Sequence, residues 1–245
     1  MYGRFSELYD SLMYDVDYKK MASFIKERLY KTGICDGLVL DLACGTGVLT
    51  RLLADFGYDM TGIDLSEEML AIAREKSNDN ILYLEQDMTE FELYGTMRAI
   101  VCSMDGFNYI LDEDELLKTF KLCNNYLDPD GRLIFDINSF YKFTNILADN
   151  TFVYDNEDVF YTWENEFDEE ENLCDFYLTF FVKEENGKFL RINEEQTERA
   201  YTEDEIEKLL NKAGFKVLAK YDGYTDKKAD SLSERIVFEC KKTEE

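Results

Sequence analysis

Three aspartates, Asp41, Asp64 and Asp87, recur at equal steps of 23 residues, and the first runs directly into Leu-Ala-Cys-Gly-Thr-Gly47. Gly45 and Gly47 remove Cβ atoms where a chain must bend sharply, letting a ligand approach the backbone. If a helix begins at Val48, its free N–H groups face any anionic part of that ligand. A Gly-x-Gly turn of this kind also fits a nicotinamide or flavin site, with a later acid on the ribose. Two residues argue against a dinucleotide: Thr50 stands where the third glycine would be, and Asp41 puts a carboxylate where a pyrophosphate would come close. Asp41 suits a cationic group instead.

The chain contains no histidine. That removes Ser-His-Asp and Cys-His catalysis, histidine-containing zinc sites and imidazole proton transfer together. The six cysteines, at 35, 44, 102, 123, 174 and 240, form no Cys-x-x-Cys pair, so no metal-ligand set is expected and the thiols read as reduced. Trp163, the only tryptophan, is either a packed core residue or a platform for a substrate. Arg191 and Arg199 stand in a markedly acidic stretch, where they either bind a carboxylate or phosphate or pair with nearby glutamates.

The elements that must position these residues follow from hydrophobic periodicity. Residues 1–30 carry apolar side chains at helical spacing, from Phe5, Leu8 and Tyr9 through Tyr18, Met21, Phe24, Ile25 and Leu29. After Gly33, strands at 38–42, 59–63, 81–85, 98–103 and 131–137 alternate with helices at 47–57, 66–76 and 113–127. This pattern calls for a parallel sheet covered on both faces. Asp128-Pro-Asp-Gly131 is expected to be a turn ahead of the fifth strand. Between 151 and 199 the texture changes to alternating aromatic and polar residues, expected as an antiparallel meander with a hairpin at Asn186-Gly187. A helix at 202–213 and strands near 215–221 and 234–240 complete the α/β pattern, giving one unit from 1–150 and 200–245 with an insertion at 151–199. Ligands of open parallel sheets bind beyond the carboxyl ends of the strands, where Asp41, Asp64, Asp87, Asp105 and Asp136 are expected.

Val39-Leu-Asp-Leu-Ala-Cys-Gly-Thr-Gly47 resembles the first motif of class I S-adenosylmethionine-dependent methyltransferases, with Ala43 in place of the first glycine, a change expected to matter little because alanine is also small. Gly62-Ile-Asp-Leu-Ser-Glu-Glu-Met69 is similar to the second motif, Gln86-Asp87-Met88 to the third, and Leu127-Asp-Pro-Asp-Gly-Arg-Leu133 to a further signature, together covering residues 35–140. The resemblance implies a Rossmann-like sheet in the order 3-2-1-4-5-7-6, the last strand antiparallel. It implies S-adenosylmethionine as cofactor, with Asp64 on the ribose hydroxyls, Asp87 on the adenine amino group and Met88 packed on the ring. Asp41, Ala43, Cys44, Gly45, Gly47, Leu65, Met69 and Met104 would complete that site, and Tyr9 and Tyr14 would close a lid over it. The insertion would bind the acceptor, and Asp105, Asn108 and Tyr109, just beyond strand 4, would orient it.

Composition narrows the partners. The net charge of -26, from 53 acidic and 27 basic residues, opposes phosphate backbones and anionic membranes. A small-molecule acceptor, an amine nitrogen or a carboxylate or hydroxyl oxygen, is expected, with neither nucleic acid nor membrane as partner. The N-terminus has no signal-peptide core and no run approaches a membrane span, so a cytoplasmic protein, monomeric or homodimeric, is expected. A cofactor-binding sensor without turnover and a nicotinamide-dependent oxidoreductase are the alternatives.

Overall fold

The computed structural model describes residues 16–243 except 79 and 185; the expected lid tyrosines Tyr9 and Tyr14 lie outside them. Asp17 caps helix α1 (Tyr18–Lys31) by accepting from Lys20 N at 2.9 Å. The alternation that follows runs β1 (Gly37–Leu42), α2 (Val48–Asp55), β2 (Tyr58–Asp64), α3 (Glu67–Lys76), β3 (Leu82–Glu85) and β4 (Met97–Cys102). Next come a 3-10 turn at Gly106–Tyr109, α4 (Glu113–Tyr126) and β5 (Leu127–Asn138). A π-helical turn at Lys142–Leu147 leads into β6 (Thr151–Asp155), β7 (Val159–Asp168), β8 (Leu173–Lys183) and β9 (Phe189–Arg199). The chain closes with α5 (Glu203–Lys212), β10 (Phe215–Asp222) and β11 (Arg235–Lys242).

Seven strands form one sheet in the order β10-β11-β5-β4-β1-β2-β3. With the four inserted strands set aside, this is the expected 3-2-1-4-5-7-6, and β11 is antiparallel to both of its neighbours. Strand alternation divides the core cleanly. Leu40, Leu42, Ile100, Cys102, Leu133 and Phe135 pack with Phe120 of α4 and Ile206 and Leu210 of α5. Val39, Ala99, Val101 and Ile134 pack on the opposite face with Phe24 and Ile25 of α1 and Leu49 and Leu53 of α2. Ser66 caps α3, and Thr202 with Glu205 forms the capping box of α5. Asp128–Gly131 does not precede β5 as a separate turn. It is a bulge inside that strand, because Met97 pairs with Leu127 and Ala99 already pairs with Arg132.

β6–β9 form a separate antiparallel sheet. Its inner face meets the main body at two places. Trp163, Phe167, Cys174 and Phe176 pack with Phe143 and Leu147 of the π-helical turn, while Tyr161, Phe180, Val182 and Ile192 pack on Met69 of α3. The insertion is thus anchored on the helix that follows β2. Phe180→Ala should cost about 3–5 kcal/mol, read as a fall in the denaturant midpoint together with faster proteolysis within 151–199. A loss below about 1 kcal/mol would show that this contact does not hold the insertion.

Candidate active site

β1 ends in a turn built from left-handed residues: Ala43 (φ 55°), Gly45 (φ 54°) and Gly47 (φ 71°). A Cβ on Gly47 would also stand 2.5 Å from the Tyr83 hydroxyl, so glycine is required there on both counts. Ala43 corrects the expectation drawn from its size: what the position demands is left-handed backbone, which an alanine adopts only under strain. The turn is stitched to β2. Cys44 N donates to Ile63 O at 2.9 Å, and Gly45 N donates to Asp64 Oδ2 at 2.7 Å. Asp64 Oδ1 accepts from Ser66 N at 2.9 Å. Beside the turn lies a cleft lined by Asp41, Ala43, Gly45 and Thr46, by Ser103 and Met104 after β4, and by Tyr18 of α1.

The electrostatics of this cleft are set by burial. Asp41 is only 2% exposed, and desolvation raises its pKa to about 7 despite a 2.6 Å hydrogen bond from Thr50 Oγ1; the nearby Asp64 carboxylate adds to the rise. Burial also lifts Asp64 above the usual carboxylate range, against the backbone N–H groups that favour its charge. Cys44 turns its side chain among Leu70, Ala73 and Tyr83, and burial pushes its thiol well up, so its backbone rather than its sulfur faces the cleft. Asp87 Oδ1 accepts from Thr89 N and Oγ1 at 2.7 and 2.8 Å, leaving Oδ2 without a hydrogen bond among the described residues. Leu65 is 67% exposed at the end of β2, whereas Met88 is half-buried against the core. Met69 lies beneath the inserted sheet.

The residues expected to meet an acceptor separate in space. Met104 (φ 58°) and Asp105 (φ 56°) are consecutive left-handed residues at the end of β4. Asp105 Oδ1 lies 2.6 Å from Arg235 Nη2. Burial works against its charge, but Arg235 and Lys142 outweigh burial and hold its pKa below the ordinary value. Buried Asn108 spends its amide on the frame: Nδ2 donates to Arg199 O at 2.9 Å and Oδ1 accepts from Asn138 N at 3.0 Å. Half-exposed Tyr109 donates its hydroxyl to Gln196 Oε1 at 2.8 Å, linking the turn to the inner face of the inserted sheet. Trp163 also lies on that face, against Phe152 and Phe176, with Nε1 buried and without a partner among the described residues. Arg191 sits opposite Phe181 on the outer face and donates to Asn193 Oδ1 at 3.0 Å. Arg199 binds Leu111 O and Glu113 Oε1, both at 2.9 Å.

Asp136 was expected after the fifth strand, whereas Glu198 and Lys142 carry no local sequence signal. Asp136 lies within β5 rather than after it, fully buried, and accepts from Met104 N at 2.9 Å, from Asp105 N at 3.1 Å, and from Tyr224 and Arg235. Glu198 is 2% exposed and accepts from Asn138 Nδ2 at 2.9 Å; burial, and then the Asp105 carboxylate, push its pKa well up. Lys142 reaches Asn138 Oδ1 at 2.8 Å. Asp136, Asn138 and Lys142 are near in sequence, but only the β5–β11 pairing and the return of β9 bring Arg235 and Glu198 to them. Tyr18 was visible only as one member of an apolar helical stripe.

A doubly wound sheet in this order, with a glycine turn leaving β1 and acids closing β2 and β3, defines the class I S-adenosylmethionine-dependent methyltransferases, and this chain belongs to that family. A family profile described as a methyltransferase domain matches residues 39–131. The chain is 35% identical to a putative methyltransferase, YqeM, of Bacillus subtilis, over 99% of this chain and 98% of that protein. A crystal structure of an S-adenosylmethionine-dependent methyltransferase from Clostridium acetobutylicum superposes with a TM-score of 0.91 at 40% identity, covering 99% of each chain. A dTDP-3-amino-3,6-dideoxy-alpha-D-glucopyranose N,N-dimethyltransferase of Streptomyces fradiae is 31% identical over 54% of this chain and 52% of its own length. The cofactor is S-adenosylmethionine. The cleft fits it: the glycine turn admits a ligand to the backbone, and a deeply buried acid faces the space a cationic group would fill.

Two substitutions test the energetics of the cleft. Relieving a left-handed alanine, worth on the order of 1–3 kcal/mol, outweighs the entropic cost of glycine, about 0.5–1 kcal/mol, so Ala43→Gly should raise stability by about 1 kcal/mol in denaturant melts. Asp41 has a folded pKa raised to about 7, so its contribution to stability is greatest below its unfolded pKa, about 4, and is lost as pH climbs to 7. Asp41→Asn keeps an acceptor for Thr50 and removes the buried charge. Its melting temperature should exceed that of wild type only slightly at pH 5 and by clearly more at pH 8; the same difference at both would disprove the burial argument.

Proposed function

We propose that this protein transfers a methyl group from S-adenosylmethionine to a small-molecule acceptor, an amine nitrogen or a carboxylate or hydroxyl oxygen, between the Ala43–Gly47 turn and the inner face of the inserted sheet. The observation that carries this reading is buried Asp41 at the foot of the glycine turn: its carboxyl is costly to ionise alone and matched to a cation placed beside it. We assign to Asp41 the cationic end of the cofactor, to the N-terminus of α2 its carboxylate, to Asp64 the ribose hydroxyls and to Asp87 the adenine, with Leu65, Met69 and Met88 flanking the ring. The lid role of Tyr9 and Tyr14 belongs to the same proposal.

When bound, the cofactor supplies a methyl group already activated on a sulfonium sulfur. The chain then has to orient an attacking lone pair and exclude water. Tyr161, Phe180 and Ile192 give the inserted sheet a dry inner face at one end. Glu194, Gln196 and Glu198 give it a polar strip along β9, since they pair across from Leu178, Phe176 and Cys174. That strip of hydrogen-bond acceptors favours an amine among the methyl acceptors, in keeping with the amino-sugar N,N-dimethyltransferase named above. Arg191 on the outer face is too remote to hold an acidic acceptor, and Arg199 is already paired. Among the described residues no helix is long and apolar enough to cross a membrane. With the acidic surface, this supports a cytoplasmic enzyme, monomeric or homodimeric, acting without nucleic acid.

The test is a calorimetric and thermal-shift titration with S-adenosylmethionine, S-adenosylhomocysteine and NAD. A ligand of the folded state at one hundred times its Kd adds about 2.7 kcal/mol. Both sulfur compounds should bind, and Asp64→Asn should weaken them about tenfold by losing a charge-assisted hydrogen bond. Unchanged affinity would remove the ribose role. Amines and acids are then screened for S-adenosylhomocysteine production; binding with no turnover on any of them would favour a sensor.

A further inference from the structure

We propose that Asp136 and Arg235 are positioning residues that brace the left-handed Met104–Asp105 pair, so that the C-terminal strand β11 sets the geometry of the cofactor cleft. Two consecutive non-glycine residues with φ near 57° do not hold that conformation unaided. Here both backbone N–H groups are captured by one side chain, Met104 N on Asp136 Oδ1 and Asp105 N on Asp136 Oδ2. Arg235 then spans the two acids, with Nη1 on Asp136 Oδ2 and Nη2 2.6 Å from Asp105 Oδ1. Tyr224 completes the brace, its hydroxyl contacting Asp136 Oδ1 and lying 3.0 Å from Ser103 Oγ. The Met104 and Asp105 N–H groups, the Asp105 carboxylate and the Ser103 hydroxyl are thereby held from β5, β11 and the segment after β10.

The braced pair bears on the cofactor directly. Ser103 and Met104 line the cleft opposite the glycine turn. The next residue, Gly106, packs so closely that a Cβ there would stand 2.7 Å from Cys102 Sγ and 3.3 Å from Ala43 Cβ. The two left-handed turns, after β1 and after β4, therefore abut, and a shift of Met104 or Asp105 narrows or opens the cleft between them. Buried charged networks of this kind can select one conformation rather than add stability. No residue of the brace other than Met104, Ser103 and Asp105 needs to touch a ligand for this to operate.

The inference rests on the S-adenosylmethionine site described above, and a double-mutant cycle separates it from a general loss of stability. Glycine adopts a φ near 57° without support, so Met104→Gly should make the brace less necessary. Affinity for S-adenosylmethionine and S-adenosylhomocysteine is measured by calorimetry in wild type, Arg235→Met, Met104→Gly and the double variant, with melting temperatures recorded alongside. Arg235→Met should weaken binding about tenfold in the wild-type background and only about two- to threefold beside Met104→Gly, a coupling of the size expected for residues sharing one network. Arg235→Lys should restore part of the affinity. If Arg235→Met does not fold, Tyr224→Phe takes its place in the cycle. Equal losses in both backgrounds, or unchanged affinity with a lowered melting temperature, would reduce the network to a purely structural role and overturn the proposal. A wild-type protein that binds neither sulfur compound would instead sink the cofactor site, and the brace with it.

Discussion

A parallel strand has to leave its sheet at the carboxyl end, and in this protein the chain does so twice through left-handed backbone, at Ala43–Gly47 after β1 and at Met104–Asp105 after β4. β1 and β4 are neighbours, so the two turns lie side by side at the carboxyl ends of the central strands. Everything a ligand meets there is fixed by how these turns are held. The first is held by β2, through Ile63 O and the Asp64 carboxylate. The second is held by β5 and β11, through Asp136 and Arg235. The strands on both sides of the central pair thus converge on one cleft, and the strained backbone of Ala43, Met104 and Asp105 is held by contacts from them.

Charge follows from the same geometry. A chain with 53 acidic residues keeps most of them in water, yet Asp41, Asp136 and Glu198 are nearly or fully buried. Each is handled differently. Asp136 is surrounded by donors, including a guanidinium. Glu198 is pushed toward its neutral form by burial beside Asp105. Asp41 has one hydroxyl donor and a pKa near neutrality, so it is the buried acid whose charge depends most on what occupies the cleft. That contrast separates a frame that is electrostatically closed from a ligand-facing acid that is left open.

The inserted sheet shows how one residue of register decides which side chains face the main body. In β9 the side chains alternate, and the pairing of Phe180 with Ile192 turns Glu194, Gln196 and Glu198 inward while Arg191 and Asn193 face out. The two arginines that stood out in an acidic segment are consequently away from the cleft or already engaged. The residues that close over the main body are aromatic and acidic. Met69, in the helix after β2, packs on Phe180 of the inserted sheet, so a residue of the second sequence motif also helps to seat the insertion.

Much of this was legible in the sequence because it is local. Hydrophobic periodicity fixes where strands and helices begin to within a few residues, the caps Ser66 and Thr202 mark helix starts, and the glycine turn with its following acids falls at the ends of β1, β2 and β3. Side-chain size alone misjudged Ala43, since the demand at that position is on φ, and composition alone misjudged Asp128–Gly131, which widens β5 instead of preceding it. Of the bracing network, the sequence showed only Asp105 and Asp136, as acids near the ends of two strands, and nothing of how they are joined. Asp136, Asn138, Lys142, Glu198, Tyr224 and Arg235 have no common spacing, and each is an ordinary strand, helix or turn residue in its own neighbourhood. They meet because β11 inserts antiparallel beside β5 and because β9 returns to the end of β4, long-range pairings decided by the packing of whole sheets rather than by any local preference of the chain.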